Sequence, residues 1–339
     1  MVSILEKYAV EFGTGRELPA ADAEAMLDAL IFESDESAIA KLLIAWNEKG
    51  IEENEIFEFA RILRSRMRRV NSHYTKFVDI VGTGGSNAKT FNVSTAAAFV
   101  VAGAGIPVAK HGNKAATSNS GSADVLAELG INPAVDPEMA ERCLNAIGIC
   151  FMFAPNHHRL SPTLGKVRRG LGFPTIFNCV GPLSNPASTP HQLIGVWDAA
   201  LLTAMAGALA RLGTTHTWIV NGSGLDEITL SGITSVAEVI GEQVAVREVT
   251  PEDFGLDRCN LDGIRCDDSV ASSDAIRRVL SAEATGEAPE AIVMLNAAAA
   301  IRLTDPTCTN IEAVEVARES IRSGKAQQKL EELALAAPV

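Results

Sequence analysis

The fold class follows from FVDIVGTGG at residues 77–85. Residues 77–81 are apolar apart from Asp79 and the run stops at the glycines, which is the pattern of a buried strand ending in a glycine-rich loop. A helix is predicted to follow from about Ser94 through Ala104. A strand, a glycine-rich loop and a helix in this order predict the first unit of an α/β fold.

Beyond this unit, short apolar stretches alternate with helical ones. The predicted strands are 106–109, 149–153, 193–196 and 217–220, and the predicted helices are 123–129, 137–147 and 199–212. This alternation predicts a mostly parallel sheet covered by helices. Spacers rich in proline and glycine interrupt the rhythm at 172–174 and 181–190, and the tail from 272 to 335 returns to helices.

The residues before this unit have helical periodicity and no strand signal. Apolar side chains recur at helical spacing in 21–31, 37–49 and 53–69. We therefore predict an α/β protein in two parts, a small all-helical domain at residues 1–70 and a large domain at residues 75–339 with a mostly parallel central sheet. A segment near 165–185 is expected to join the helical domain.

Composition restricts the class of protein. The chain has 339 residues, 47% of them hydrophobic, and a formal net charge of −13, the profile of a folded protein large enough for two lobes. The acidic charge disfavours nucleic acid or an anionic membrane as a partner, because phosphate groups are held mainly by Lys and Arg. A polyphosphate ligand would have to be bound locally by backbone amides, a few cations and a metal.

Export and membrane signals are not expected. Residues 1–7 lack the basic and apolar regions of a signal peptide, and the longest apolar stretch, 93–109, is broken by glycine and proline. The six cysteines form neither a CxxC motif nor a Cys/His cluster, so neither a disulfide framework nor a zinc site is predicted. We expect a cytoplasmic protein with reduced thiols.

The glycine loop and the segment after it form a candidate phosphate site. Residues 82–85 lie between a strand and a helix, where small residues let backbone N–H groups approach a phosphate and the helix dipole favours an anion. The spacing matches neither GxGxxG nor the Walker pattern, so a structural turn explains the glycines equally well. The sequence TFNVST at 90–95 adds three hydroxyls and an amide, of which a helix cap would use only one.

A second polar loop follows the next predicted strand. It consists of KHGNK at 110–114 and a hydroxyl-rich segment at 117–122. Because loops at the carboxyl ends of parallel strands converge on the ligand site, both loops are expected to face one pocket. Two lysines and several hydroxyls there would suit a doubly phosphorylated sugar, although a solvated loop with Ser122 as a helix cap explains the same residues.

In this order and spacing, these segments resemble the anthranilate phosphoribosyltransferases. The matching blocks are DIVGTGG at 79–85, TFNVST at 90–95, KHGN at 110–113, SGSADVL at 120–126, FMFAP at 151–155, VRR at 167–169, TIFN at 175–178, GPLSNP at 181–186 and GLDE at 224–227. His158, the N-terminal helices and the regions 296–300 and 317–333 continue the match. The resemblance covers nearly the whole chain and implies a nucleoside phosphorylase/phosphoribosyltransferase-like fold.

The resemblance implies that the protein transfers the phosphoribosyl group of phosphoribosyl pyrophosphate (PRPP) to the amino group of anthranilate in tryptophan biosynthesis. It also implies a homodimer that binds these two small molecules and neither nucleic acid nor membrane. The implied catalytic residues are Lys110, Asp226 and Glu227. The residues that would bind PRPP are Gly82, Gly85, Ser86, Thr90, Asn92, Val93, Ser94, Thr95, Lys110, His111, Gly112, Asn113, Lys114, Ala115, Ala116, Thr117, Ser118 and Ser122.

The resemblance further implies a magnesium site and an aromatic-acid site. Mg²⁺, two ions per subunit, would be held by Ser94, Asp226 and Glu227, which offer hard oxygen ligands. Anthranilate would contact Gly82, Asn113, His158 and Arg168, and a guanidinium suits its carboxylate because it offers a bidentate fork. Without the resemblance, the acids and Arg168 would be interpreted as solvated surface charges and His158 as a loop histidine.

Three departures from the family pattern affect the same site. Ser86 stands where the family commonly has an acid, which removes a negative charge near the magnesium and pyrophosphate. Lys114 replaces a common arginine, so a bidentate phosphate contact becomes a point charge. Residues 159–163 also differ, which is expected to reshape the mouth of the anthranilate channel.

Two other functions remain compatible with the fold. A pyrimidine nucleoside phosphorylase shares this architecture and a similar glycine loop, but it has no need of a magnesium pyrophosphate site. The pair Asp226 and Glu227 and the block at 110–113 fit the transferase better. A noncatalytic relative that binds nucleic acid is opposed by the net charge and by retention of Ser94 with both acids.

Overall fold

A computed structural model describes residues 3–86, 89–115 and 120–339. The described helices are α1 (Ile4–Phe12), α2 (Ala20–Phe32), α3 (Glu36–Lys49), α4 (Glu53–Arg66), α5 (Val93–Gly103), α6 (Ser122–Glu128), α7 (Pro137–Ile147), α8 (Ala154–His158), α9 (Pro162–Leu171), α10 (Ile176–Val180), α11 (Leu201–Leu212), α12 (Ser269–Leu280), α13 (Ala288–Thr304), α14 (Asn310–Arg322) and α15 (Lys325–Ala336). The described strands are β1 (Val78–Gly82), β2 (Val108–Gly112), β3 (Ile149–Phe153), β4 (His191–Gly195), β5 (His216–Asn221), β6 (Thr234–Ile240) and β7 (Gln243–Val249).

These strands form one sheet in the order β3-β2-β1-β4-β5-β6-β7. The pairs from β3 to β5 are parallel, and β6 and β7 add antiparallel strands at one edge. The strand order reverses between β1 and β4, where Gly82 and Gly195 are register partners. Ligands of open parallel sheets bind outside the carboxyl ends of the strands at such a reversal. The predicted α/β fold with a mostly parallel sheet is confirmed.

Both faces of the sheet are covered, because successive side chains of a strand point to opposite faces. Leu193 and Trp218 belong to one hydrophobic cluster, which includes residues of α5, α7 and α12–α15. Their neighbours Ile194 and Ile219 belong to the other, which includes residues of α11 and of the N-terminal helices. This burial on two sides explains why β3, whose sequence is ICFMF, is a continuous apolar run.

The N-terminal helices α1–α4 pack together and against three later helices. Helix α3 contacts α9, and α4 contacts both α10 and α11. The Trp46 ring lies 5.2 Å from the Phe59 ring, and Phe59 lies 6.2 Å from Phe177 of α10. The segment at 162–180 therefore packs with the N-terminal helices although it follows β3 in the chain.

The structure adds elements that the pattern did not predict. Helix α1 is capped by Ser3 and Glu6 in a reciprocal capping box, a signal that lies outside the stretches with clear periodicity. The β6–β7 hairpin turns at Gly241, which has a φ of 59°. Its Gly-Glu turn is not one of the common Asn-Gly or Asp-Gly hairpin signals. None of the helices in the described part of the chain has both the length and the hydropathy of a membrane span.

Candidate active site

A cleft lies at the strand reversal, between the carboxyl ends of the strands and helices α4 and α8–α10. Most of the predicted site residues line it. They are Gly82, Gly85, Ser86, Thr90, Asn92, Ser94, Lys110, His111, Gly112, Asn113, Lys114, Ala115, Ser122, His158, Arg168, Asp226 and Glu227.

Glycines at the ends of β1 and β4 make room for the loop that follows β5. This loop carries Asp226 and Glu227 and is called the acidic loop below. A Cβ atom on Gly195 would lie 1.7 Å from the backbone oxygen of Asp226, and one on Gly82 would lie 2.6 Å from its carboxylate. Real Cβ atoms do not approach other atoms so closely, because the repulsion would displace the backbone. The two glycines therefore allow Asp226 to cross the strand ends and enter the cleft.

The adjacent acids accept hydrogen bonds from backbone amides in the glycine-rich loop and in the first turn of α5. Asp226 accepts a 2.9 Å hydrogen bond from the Gly84 N–H, and Glu227 accepts one of 3.2 Å from the Ser94 N–H. Burial, and then the neighbouring charge of Asp226, raise the pKa of Glu227 to about 8. Burial also raises the pKa of Asp226. Two carboxylates that resist ionisation side by side form a site that a cation would stabilise.

The acidic loop is also held from behind by Asn296 of α13, which is fully buried. Its side-chain oxygen accepts a 3.0 Å bond from the Ile228 N–H, and its amide donates to the Ile228 carbonyl at 3.1 Å. The same amide donates to Ile292, one turn earlier in the helix. The residue after the acidic pair is thus fixed to the core through both of its backbone polar groups.

Lys110 approaches the cleft from the neighbouring strand β2. Its ammonium group donates to the Ile80 carbonyl and, at 3.3 Å, to the Ser94 hydroxyl. Burial lowers the pKa of Lys110, and the carboxylates of Asp79 and Glu227 oppose this shift. The structure thereby brings one cation, one hydroxyl and two acids to the same end of the cleft.

Asn92 connects three segments at the start of α5. Its side-chain oxygen accepts hydrogen bonds of 2.9 Å from both Ser120 and Ser272. The Ser272 hydroxyl also accepts a 2.9 Å bond from the Asn92 N–H. Ser272 lies on α12 and carried no sequence signal, because its partner is 180 residues away.

Asp124 brings together the described ends of the second polar loop, at Ala115 and Gly121. The Asp124 carboxylate accepts the backbone N–H groups of Ala115 and Gly121, each at 3.0 Å. A Cβ atom on Gly121 would lie 2.3 Å from the Ala115 nitrogen, so only glycine permits this closure. The predicted residues Ala116, Thr117 and Ser118 lie outside the described residues.

The opposite wall of the cleft carries Arg168, which is half-buried on α9. It donates to the Thr175 hydroxyl and to the Asn178 side-chain oxygen, each at 3.2 Å. Its guanidinium carbon lies 5.1 Å from the centre of the Phe177 ring. Burial, and then the charge of Arg169, lower the pKa of Arg168 to about 10, so it remains a cation at neutral pH.

Two histidines face each other between these walls. His111 and His158 bring their Nε2 atoms within 3.2 Å. Burial lowers the pKa of His111 well below its ordinary value and that of His158 to about 4. Both rings are therefore neutral near pH 7, and one donates to the other. His111, which is predicted to contact PRPP, therefore directs its Nε2 atom at the ring of His158.

Among the described residues, two of those predicted for the site do not line the cleft. Val93 and Thr95 are buried, and their N–H groups are bonded to the Phe91 and Asn92 carbonyls. In contrast, Thr83, Phe177 and Asn178 line it without having been given a role. A family block at 175–178 marked two of them, but their contacts depend on the fold.

The metal donors are few. No group of three or more His, Cys, Asp or Glu side chains suited to a metal occurs among residues 3–86, 89–115 and 120–339. The predicted set has two carboxylates and the Ser94 hydroxyl, which suits Mg²⁺ because this ion keeps several waters and binds substrate phosphates. Ser86, which replaces a common acid, hydrogen-bonds Asp226 and lowers the pKa of its carboxyl, opposing the larger effect of burial.

The chain matches the family described as glycosyl transferase family, a/b domain, over residues 74–327. It is 42% identical over 332 residues to an anthranilate phosphoribosyltransferase from a Bradyrhizobium species, covering 98% of this chain and 97% of that protein. It is 48% identical over 257 residues to the anthranilate phosphoribosyltransferase of Thiobacillus denitrificans, covering 76% and 74%.

The chain is also similar to solved structures of anthranilate phosphoribosyltransferases. The anthranilate phosphoribosyltransferase of Thermus thermophilus is 35% identical, with a TM-score of 0.87 over 97% of this chain and 98% of that one. The Saccharomyces cerevisiae enzyme in complex with PRPP and Mg is 28% identical, with a TM-score of 0.88 over 98% and 97%.

Proposed function

The chain belongs to the anthranilate phosphoribosyltransferase family, and we propose that its cleft joins anthranilate to the ribose of PRPP, releasing pyrophosphate, in tryptophan biosynthesis. The observation that carries this proposal is the separation of an acidic pair and an arginine at opposite ends of one cleft. The acids and Lys110 lie at one end, and Arg168 lies at the other. One end suits a magnesium pyrophosphate, and the other suits an aromatic carboxylate.

PRPP would lie along the loops after β1 and β2. Backbone N–H groups near a helix start, together with placed hydroxyls and lysines, bind phosphates without a basic surface. This explains how a chain of charge −13 could bind a polyphosphate. The lining residues that would serve are Gly82, Gly85, Ser86, Thr90, Asn92, Ser94, Lys110, Gly112, Asn113, Lys114, Ala115 and Ser122.

Mg²⁺ would be held by Asp226, Glu227 and Ser94. The fit rests on the donor set, since burial raises the pKa of both adjacent carboxylates and the charge of Lys110 only partly offsets this for Glu227. When bound, the metal would neutralise charge on the pyrophosphate group as it leaves. Two ions per subunit are part of the proposal, and substrate oxygens and water would complete their coordination.

Anthranilate would bind with its carboxylate on Arg168 and its ring beside His158, Asn113 and Gly82. In the reaction, the amine nitrogen forms a bond to the anomeric carbon, the bond from that carbon to pyrophosphate breaks, and the amine loses one proton. An aromatic amine is weakly basic and needs little activation. The residues therefore act by orienting two substrates and, in the case of Lys110, by stabilising negative charge on the leaving group.

Domain organisation belongs to the same proposal. We assign residues 1–70 to a helical lobe, joined by the segment near 165–185, and the rest of residues 75–339 to the α/β lobe that binds PRPP. Arg64 of α4 donates to the carbonyl of Leu183, in the joining segment, at 2.6 Å. It also donates to the carbonyl of Leu212 at the end of α11 at 3.1 Å, which supports a fixed contact between the lobes. Closure of the cleft beside it would exclude water from the sugar donor.

We also propose that the enzyme is a homodimer in the cytoplasm. The unpaired state of its six cysteines is compatible with a reducing compartment. Sedimentation of the purified protein at twice the 35.8 kDa mass of one chain would support the dimer. Sedimentation as a single chain at micromolar concentration would exclude it.

The test of the activity is a product balance. Purified protein with PRPP and Mg²⁺ should consume anthranilate, as measured by its fluorescence, and should release an equal amount of pyrophosphate. A parallel reaction with uridine and phosphate should give no uracil. Uracil release without anthranilate consumption would instead establish the phosphorylase alternative.

A further inference from the structure

The two ends of the cleft are connected by a chain of hydrogen bonds through the buried side chain of Asn178. Its oxygen accepts from Arg168 at 3.2 Å and from the Thr175 N–H at 3.0 Å. Its amide nitrogen donates to the Thr83 carbonyl at 2.9 Å. One side chain therefore contacts both the arginine at the anthranilate end and the glycine-rich loop at the phosphate end.

The connection continues through a single peptide group. The Thr83 carbonyl and the Gly84 N–H belong to the same planar unit. Asn178 holds the carbonyl, and Asp226 accepts the N–H at 2.9 Å. Gly84 has a φ of 67°, a conformation that glycine adopts without strain. Any rotation of this peptide would change the bonds to Asn178 and Asp226 together.

We propose that Asn178 is a positioning residue that couples the two substrate subsites, because it joins Arg168 to the Thr83–Gly84 peptide and through it to Asp226. This inference rests on the function proposed above. A ligand at either end fixes the orientation of this peptide, so the second ligand binds to a loop that is already ordered. The coupling is therefore positive and, as a linkage, equal in both directions.

The experiment measures coupling without turnover. Anthranilate binding is followed by its fluorescence, with and without saturating Mg²⁺ and pyrophosphate, which lacks a ribose and cannot react. In the wild type, pyrophosphate should lower the anthranilate Kd by at least about 5-fold, the lower end of typical coupling. Calorimetry should find the same factor for the effect of anthranilate on pyrophosphate.

Asn178→Asp is the informative variant. It keeps acceptors for Arg168 and for the Thr175 N–H but replaces the donor to the Thr83 carbonyl by an acceptor. The ratio of anthranilate Kd values should fall to within about 2-fold of unity, even though the added charge also weakens anthranilate binding itself. Asn178→Ala, which removes every link, should give the same ratio and serves if the first variant does not fold.

Thr175→Val is the matched control. It removes the 3.2 Å bond from Arg168 to the Thr175 hydroxyl but leaves all three bonds of the Asn178 side chain. Anthranilate should bind more weakly, while the coupling ratio should stay within about 2-fold of the wild-type ratio. This outcome separates coupling from loss of affinity, and a structural role alone would not produce it.

Two results would overturn the inference. The first is a wild-type protein that binds both ligands but whose anthranilate Kd is the same with and without magnesium pyrophosphate, because the two subsites are then not coupled. Folded Asn178 variants that keep the wild-type ratio show that the coupling runs elsewhere. In either case the proposed function stands, whereas wild-type protein that binds neither anthranilate nor magnesium pyrophosphate contradicts the function as well.

Discussion

Several histidines of this chain are held neutral by their surroundings. Burial is the largest cause in each case, lowering the pKa values of His111 and His157 and bringing those of His158 and His191 to about 4. A group whose pKa is depressed by folding stabilises the protein above its unfolded pKa. That contribution is lost as the pH falls through the folded pKa.

We predict a corresponding acid sensitivity for His158. Its pKa is 6.5 ordinarily and about 4 in the fold, so the unfolded chain takes up the proton first and the free energy of unfolding falls between these values. His158→Gln, which cannot be protonated, should flatten the decline in melting temperature from pH 7 to 4.5. His73→Gln, at an exposed position, should leave the slope unchanged. Equal slopes in all three proteins would refute the assignment.

At the scale of elements, the close approach of strands and loops depends on glycines. Gly195 is the plainest case, because the space for its Cβ is occupied by the backbone of the acidic loop. The loop itself is fixed at Ile228 by Asn296. Strand β4 and helix α13 therefore position the acidic pair, although Gly195 and Asn296 do not line the cleft themselves.

Gly195→Ala should displace Asp226 and impair catalysis strongly. A misplacement of about 1 Å can cost about 100-fold in rate, so we expect kcat/KM to fall by about that factor, with more Mg²⁺ needed for half-maximal activity. Gly170→Ala is the control, since its Cβ would meet nothing within 4 Å in α9. It should keep activity and gain about 0.5–1 kcal/mol of stability. Wild-type kinetics in Gly195→Ala would disprove the steric argument.

Asn296→Ala should loosen the acidic loop from behind. Both backbone groups of Ile228 would lose their partners, which costs about 1–3 kcal/mol per unsatisfied group. Denaturant unfolding should report that loss, and the Mg²⁺ concentration for half-maximal activity should rise. A variant that is destabilised but has unchanged Mg²⁺ dependence would limit Asn296 to a role in stability.

For the whole molecule, the sequence predicted the helices and strands better than the tertiary contacts between them. Apolar runs defined β1 and β3, and Pro137 and Gly148 marked the ends of α7, because these signals are local. The positions of Asn178, Ser272 and Asn296 at the site could not be predicted in this way. Their partners lie 95, 180 and 68 residues away, so only packing brings them together.

The candidate site was predictable to the extent that it consists of loops after strands. The resemblance marked Asp226 and Glu227, but adjacent acids in a turn have no local signal that distinguishes a metal site from solvated charge. The role proposed for them rests on their burial and on the hydrogen bonds from the Gly84 and Ser94 amides. These are properties of the folded chain.

The most direct test of the account removes the charge of the acidic pair. Loss of anthranilate fluorescence with PRPP is followed across a Mg²⁺ titration in the wild type, in Asp226→Asn/Glu227→Gln, and in Glu331→Gln/Glu332→Gln, an adjacent pair on α15 away from the cleft. We predict Mg²⁺-dependent turnover in the wild type and the α15 variant, and a loss of about 100-fold or more in the first variant. Wild-type turnover and Mg²⁺ dependence in folded Asp226→Asn/Glu227→Gln would contradict the account.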